Sequence, residues 1–374
     1  MTTHHAAFFQ PFVLGTLILP NRIVMAPMTR SFSPGGVPGP DVAAYYARRA
    51  AAGVGLIITE GALVDHPAAG NDVKVPMFYG EAPLAGWARV VQAVHAAGGR
   101  IMPQLWHIGT MRRQGDGPHP EAPPVSASGY FKPGKQVAQP ANAADIAALI
   151  AGYANSAAHA HRLGFDGIEI HGAHGYLIDQ FFWSATNLRD DSYGGAIAAR
   201  ARFAAEIVKA CRAATAPDFP IALRFSQWKQ QDYGARLATT PGELATFLAP
   251  LVDAGVDIFH CSNRRFWEPE FAQEKEGSDM NLAGWTRKIS GKPVITVGSI
   301  GLDTDFIETF ATKGGAATDT NRLGTLAGMI ERGEVDLVAV GRALISDPEW
   351  AEKLRAGKLV DAVPYTREVL GTLV

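Results

Sequence analysis

A single (β/α)8 barrel is the fold this chain predicts, and three observations carry it. Eight short apolar runs rich in β-branched residues occur in order, each nearly continuous in hydrophobicity, as strands covered on both faces require. Between them stand stretches with apolar residues at i, i+3, i+4 and i+7 or with helix-capping signatures, and every interval is long enough for a crossover helix. Eight such units in 374 residues count out a barrel. The alternative, a doubly wound sheet, would more often carry six strands and a G-x-G-x-x-G after the first, where this chain has "VMAPMTRSFSPGG".

Ahead of the first strand, "VLGTLILPN" alternates around Gly15 as a small hairpin does, placed to close the barrel floor. The strand runs are 22–27, 55–60, 100–106, 166–171, 220–225, 256–261, 293–298 and 335–341. Trp87, Val90, Val91 and Val94 mark the core face of one helix, which ends at Gly98-Gly99; Ile146, Leu149, Ile150 and Tyr153 mark another. Thr240-Pro-Gly-Glu243 reads as a capping box with proline at the first helical position, followed by Leu244, Phe247, Leu248 and Leu251 inward and Gly255 beyond the end. Asp347-Pro348 predicts the start of the last helix. The surplus over a minimal barrel falls mainly in 107–140, where six prolines and five glycines lack helical period; a loop of this length predicts a lid or binding loop. No repeat or linker divides the chain, so residues 1–374 are expected to form one domain.

Composition narrows the function classes. With 34 Lys+Arg against 36 Asp+Glu, no field of one sign favours nucleic acid or an anionic membrane, which leaves a small-molecule partner. Cys211 and Cys261 lie too far apart for a disulfide framework, a Cys-x-x-Cys metal knuckle or a thiolate-bound iron–sulfur cluster, and reduced cytosol fits them. No apolar run approaches the roughly 20 residues that cross a bilayer, and the N-terminus lacks a secretory pattern. A cytoplasmic enzyme is expected, with homo-oligomerisation a prior of size alone.

Barrel chemistry sits at the carboxyl ends of the strands. There the sequence places Pro27-Met28-Thr29-Arg30, Glu60-Gly61, Gln104 with Trp106-His107, His171 with His174 and Tyr176, Arg224, Cys261-Ser262, Gly298-Ser299 and Gly341-Arg342. The last two pairs follow strands seven and eight, where glycine N–H groups and a cation commonly build a phosphate site, although glycine after a strand is also plain turn chemistry.

Taken together and in this order, "RIVMAPMTR", "IITEGA", "QLWHIG", "HGAHGYLIDQF", "NLRDDSYGG", "LRFS" and "AVGRALISDP" resemble the Old Yellow Enzyme family of flavin-dependent ene-reductases, from about Arg22 to Pro348. The resemblance implies FMN across the barrel mouth, its phosphate on Gly298, Ser299, Gly341 and Arg342. It implies Ala26, Pro27, Met28 and Thr29 along one side of the ring system, Gly61 allowing close approach, Gln104 on the pyrimidine edge and Arg224 beside the nitrogen that gains negative charge on reduction. His171 and His174 would polarise the carbonyl of an α,β-unsaturated substrate, converging if the turn after the strand is helical, and Tyr176 would protonate the α-carbon. Trp106, Trp228, Phe266 and Trp267 are candidate pocket walls. Thr29 stands where one branch of the family has cysteine, and the C-terminal segment "VPYTREVLGTLV" departs from the family pattern, lacking an aromatic where several relatives place one over the flavin unless Tyr365 substitutes.

NADH or NADPH would supply electrons. Arg112-Arg113 either grips the extra phosphate of NADPH or is a solvated loop pair. H-x-x-H at 171–174 has a competing reading as a metal pair with Glu169 or Asp179. Other function classes remain open beside the ene-reductase: a flavin-free phosphosugar isomerase or metal-dependent lyase, and a flavoprotein passing electrons to quinone or oxygen.

Overall fold

The computed structural model describes residues 3–374 except 275, 276, 278, 306, 307 and 310–314. Its barrel strands are β1 (Ile23–Met25), β2 (Leu56–Leu63), β3 (Arg100–Trp106), β4 (Ile168–His174), β5 (Ile221–Lys229), β6 (Ile258–Ser262), β7 (Val294–Val297) and β8 (Leu337–Val340). All neighbours pair in parallel in chain order, and Val338 opposite Ile23 closes the ring between β8 and β1. The eight expected strands are the eight observed. Interleaved with them run α1 (Pro40–Ala51), α2 (Glu81–Ala96), α3 (Ala143–Arg162), α4 (Leu177–Phe182), α5 (Ile197–Ala213), α6 (Pro241–Ala254), α7 (Leu282–Ser290), α8 (Leu323–Glu331), α9 (Arg342–Ser346) and α10 (Trp350–Ala356).

The barrel interior is layered. The hairpin Phe12–Leu14 and Leu17–Leu19 packs Phe12, Leu17 and Leu19 against Val24, Leu56, Ile58, Met102, Ala222, Ile258, Ile295 and Leu337. This apolar plug is the expected floor, and it leaves only the carboxyl-terminal mouth for chemistry. Outside the strands, Trp87, Val90, Val91 and Val94 of α2 and Ile146, Leu149 and Tyr153 of α3 are buried as their spacing requires.

The helix signals hold with two adjustments. Thr240 caps α6 by accepting from Glu243 N at 3.2 Å, and Gly255 closes it with φ of 100°. The Glu243 carboxylate, however, reaches Thr239 N at 2.7 Å instead of Thr240 N, so the reciprocal half of the box sits one residue early. The last helix begins at Trp350; Asp347 receives Glu349 N at 3.0 Å and Lys353 at 2.8 Å, bracing the turn that precedes it.

The long loop after β3 forms a short hairpin, Tyr130–Lys132 with Lys135–Gln136, and is stapled by two arginines. Arg112 donates to the carbonyls of Gly70, His119 and Ala122, and Arg189 to those of Ala127 and Ala141. The C-terminal segment is fastened likewise: Arg30 donates to Val369 O and Thr372 O, Arg48 to Leu373 O and Arg49 to Val374 O. Among the described residues no helix is long and apolar enough to cross a membrane.

Candidate active site

A cavity of about 390 Å³ opens at the carboxyl ends of the strands, within the roughly 300–1,000 Å³ range of cofactor and ligand sites. Most of the expected residues meet there: Ala26, Pro27, Met28, Thr29, Gln104, Trp106, His171, His174, Tyr176, Trp228, Arg224, Gly298, Ser299, Gly341 and Arg342 all line it.

The histidine pair is set by an irregular strand end. On a regular strand His171 and His174, three apart, would face opposite sides. The turn is not helical; instead β4 runs on to His174, its register against β5 shifts between Gly172 and His174, and His174 adopts φ of 65°. The bulge brings both rings into the cavity with centroids 5.2 Å apart. Ser226 Oγ accepts from His174 N at 2.9 Å and Gln230 N donates to His174 O at 3.3 Å, holding a backbone conformation that non-glycine residues seldom adopt.

Protonation follows from the partners. Ala173 N donates to His171 Nδ1 at 3.3 Å, which places the ring hydrogen of His171 on Nε2. Burial, reinforced by Arg224, pushes the imidazoles of His171 and His174 well below their ordinary range, so both are neutral at pH 7. Tyr176 packs edge-on to His171 and to Trp106, each at 5.0 Å, and its oxygen accepts from Gln230 Nε2 at 2.9 Å, leaving its own hydrogen free. Burial raises its phenol above the ordinary value, so it stays protonated.

Arg224 is a buried cation without a carboxylate within salt-bridge distance among the described residues. Among the described residues it gives one hydrogen bond, Nη2 to Ser262 Oγ at 3.1 Å, and its Nε finds no partner. Gln104 donates to Glu169 Oε1 at 2.7 Å, which fixes its amide and leaves its carbonyl for the cavity. At the far end, Gly298 (φ 140°) and Ser299 (φ 55°) turn sharply against Asn263 and Arg264, and a Cβ on Gly298 would meet Asn263 O at 2.7 Å. Arg342 spends three donors on Thr304 O, Asp305 O and Thr309 Oγ1, leaving two of the five of a guanidinium for an anion.

Several expectations are corrected. Gly61 does not line the cavity; its missing Cβ makes room for the Trp106 indole, 2.6 Å from where that atom would lie. Phe266 is a core residue, 1% exposed, because the loop after β6 turns back onto the helical layer and donates Phe266 N to Gly298 O. Trp267 lies under Arg322, at 4.0 Å, also away from the cavity. Arg112 is buried on carbonyls and cannot grip a dinucleotide phosphate. No residue of 107–140 lines the cavity; Tyr365 and Leu370 of the C-terminal segment do. The proposed third metal ligands are engaged elsewhere: Glu169 with His260 and Gln104, Asp179 with Lys229 at 2.5 Å.

Gln230 and the support from Ser226 escaped the sequence reading, which ended the fifth strand at Phe225; that reading places Ser262 at a strand end without a role. The strand in fact runs on to Lys229, with its register against β4 shifted beyond Phe225, and Trp228 and Gln230 reach the cavity from its end.

Comparison with known proteins decides the family. The model of the NADH:flavin oxidoreductase / NADH oxidase family matches residues 7–360. The chain belongs to this family. Within it, 12-oxophytodienoate reductase 7 of Oryza sativa subsp. japonica is 34% identical over 373 residues, covering 94% of this chain and 88% of that protein. The NADH oxidase of Thermoanaerobacter brockii is 34% identical over 364 residues, and this chain spans only 52% of its length. The solved structure of morphinone reductase in complex with tetrahydroNAD matches with a TM-score of 0.78 at 29% identity, over 97% of this chain and 93% of that one. The chain is thus an oxidoreductase of the Old Yellow Enzyme type, with FMN as cofactor and NADH or NADPH as reductant.

The residues present fit that cofactor. Arg224 offers a buried Nε unpartnered among the described residues, Gln104 a fixed amide, and the Gly298–Ser299 turn with Arg342 an anion cradle, all on one cavity.

Beneath Thr29, the Glu60 carboxylate accepts from Arg30 N at 2.9 Å and Ser31 N at 3.1 Å, tying down the loop after β1. Burial raises its pKa to about 7. Between its ordinary value and 7 the folded protein therefore holds the proton that the unfolded chain releases, so stability falls as pH rises through that window, by up to roughly 3 kcal/mol. Glu60→Gln, which imitates the protonated form, should lose this slope. Thermal melts at pH 5.5 and 8 check it, with the variant gaining on wild type at the higher pH.

Proposed function

We propose that this enzyme reduces the C=C bond of α,β-unsaturated carbonyl compounds, with nitroalkenes as a related class. The supporting observation is the convergence, on one cavity, of two neutral imidazoles and a phenol whose hydroxyl hydrogen is uncommitted. FMN, which Arg224, Gln104 and the Gly298–Ser299 turn with Arg342 would hold, would when reduced supply hydride chemistry toward the β-carbon.

The protein's own groups do the rest. Nε2–H of His171 donates to the substrate carbonyl oxygen, where negative charge grows as the hydride arrives. Ser262 Oγ accepts from Arg224 and so has its hydrogen free for His174 Nε2, 2.8 Å away, which leaves the His174 ring proton on Nδ1 as a second donor. Tyr176 delivers its proton to the α-carbon, and Gln230 Nε2, already bonded to that oxygen, steadies the phenolate until solvent restores the proton. Trp106 and Trp228, the latter stacked on His174 at 4.5 Å, form apolar walls that keep water from the reacting carbons. Arg224 balances charge on the reduced cofactor.

The test is isotopic. Reduced holoenzyme mixed anaerobically with 2-cyclohexenone in D2O should be reoxidised and yield cyclohexanone carrying solvent deuterium at the α-carbon. Reoxidation by quinone or oxygen but not by the enone would favour the electron-transfer class, and α-deuteration by Tyr176→Phe at the wild-type rate would remove Tyr176 as proton donor.

A further inference from the structure

Directly under the cavity floor the barrel holds a charged layer that binding alone does not call for. The inward positions of β3, β4, β5 and β6 carry Gln104, Glu169, Arg224 and His260, and His260 is opposite Arg224 in the strand register. Glu169 and His260 are both fully buried; His260 Nδ1 donates to Glu169 Oε2 at 2.5 Å, and the other carboxylate oxygen receives Gln104. His260 Nε2 has no partner among the described residues. Neither Glu169 nor His260 lines the cavity, whereas Arg224 and Gln104 do.

Such a pair is a costly thing to keep in a barrel interior, where apolar side chains of similar volume would serve stability as well or better. Burial opposes ionisation of Glu169, yet His260, Arg224 and Gln104 together hold its carboxyl below the ordinary range. Burial, with Arg224, keeps His260 below its own ordinary value, so the imidazole is a neutral donor and the layer carries one net negative charge behind Arg224. That charge is the largest influence offsetting the desolvation of the Arg224 guanidinium.

We propose that Glu169, kept ionised by His260, is a positioning residue that acts through Arg224: a buried counter-charge that limits how much more tightly the site binds reduced than oxidised FMN. The proposal rests on FMN occupying the cavity beside Arg224. Coulomb's law gives the sign. With Glu169 present, part of the Arg224 field is spent below the cavity; without it, the whole cationic field bears on the electron-rich reduced ring.

Glu169→Gln tests this, because the amide keeps the shape and can still accept from Gln104 while His260 changes tautomer. The reduced-to-oxidised affinity ratio should rise about tenfold, seen as a two-electron potential about 30 mV more positive by dye-equilibrated spectra. Should that variant not fold, the His260 pair decides: His260→Leu removes the hydrogen bond that keeps Glu169 ionised and should shift the potential the same way, while His260→Asn, which retains an N–H near Nδ1, should stay at the wild-type value. An unchanged potential in Glu169→Gln or His260→Leu, with only a lower melting temperature, would mean that the layer is structural and would overturn the proposal. Failure of wild type to bind FMN would instead sink the reading beneath it.

Discussion

Tyr176→Phe is expected to slow reoxidation of the reduced enzyme by 2-cyclohexenone by about 10²–10⁴-fold, the usual worth of a positioned general acid. Reduction of the flavin by NADH or NADPH should be little changed, because no proton from Tyr176 enters that half of the cycle. Phenylalanine keeps the ring that packs edge-on to His171 and Trp106, so the cavity retains its shape and only the hydroxyl and its bond from Gln230 are lost. Stopped-flow traces of the two half-reactions separate the effects. Equal slowing of both would show that Tyr176 shapes the site and does not act on the alkene.

His171→Ala should lower kcat/KM for the enone by about 10²–10³-fold, the loss that follows removal of one donor from a developing oxyanion. Because both imidazoles are already neutral, burial being the main cause and Arg224 adding to it, wild-type activity should show no histidine titration between pH 6 and 8. A donor that had to be cationic would fade across that interval. The stability consequence has the opposite sense to that of Glu60. The unfolded chain binds protons on these histidines near pH 6.5 and the folded one does not, so stability falls as pH drops below that value. A sigmoid loss of kcat/KM centred near 6.5 in wild type would count against the neutral-donor assignment.

The fold was legible because its signals are local and repeated. Continuous β-branched runs, amphipathic helices and capping residues each constrain their own segment, and eight of them leave few topologies. The site was legible in part for the same reason: barrel chemistry gathers at strand ends, and the side chains at those ends could be named one by one. Gly61 and Phe266 failed because the sequence shows that a glycine or an aromatic sits near a strand end, not which neighbour it meets. Gly61 meets Trp106, and Phe266 turns into the core. The 107–140 loop failed similarly, since its length suggested a lid while Arg112 and Arg189 fasten it outside the cavity.

Local sequence determined the strands, the helices between them and the kinds of group at the mouth, because backbone preference and burial period act over a few residues. Tertiary structure alone decided which of those groups face one another. The bulge that turns His174 beside His171, the path of the C-terminal segment that brings Tyr365 and Leu370 to the cavity, and the Glu169–His260 pair under Arg224 all depend on contacts between residues far apart in the chain. No local propensity encodes a hydrogen bond between a histidine on the sixth strand and a glutamate on the fourth; it exists only once the barrel has closed.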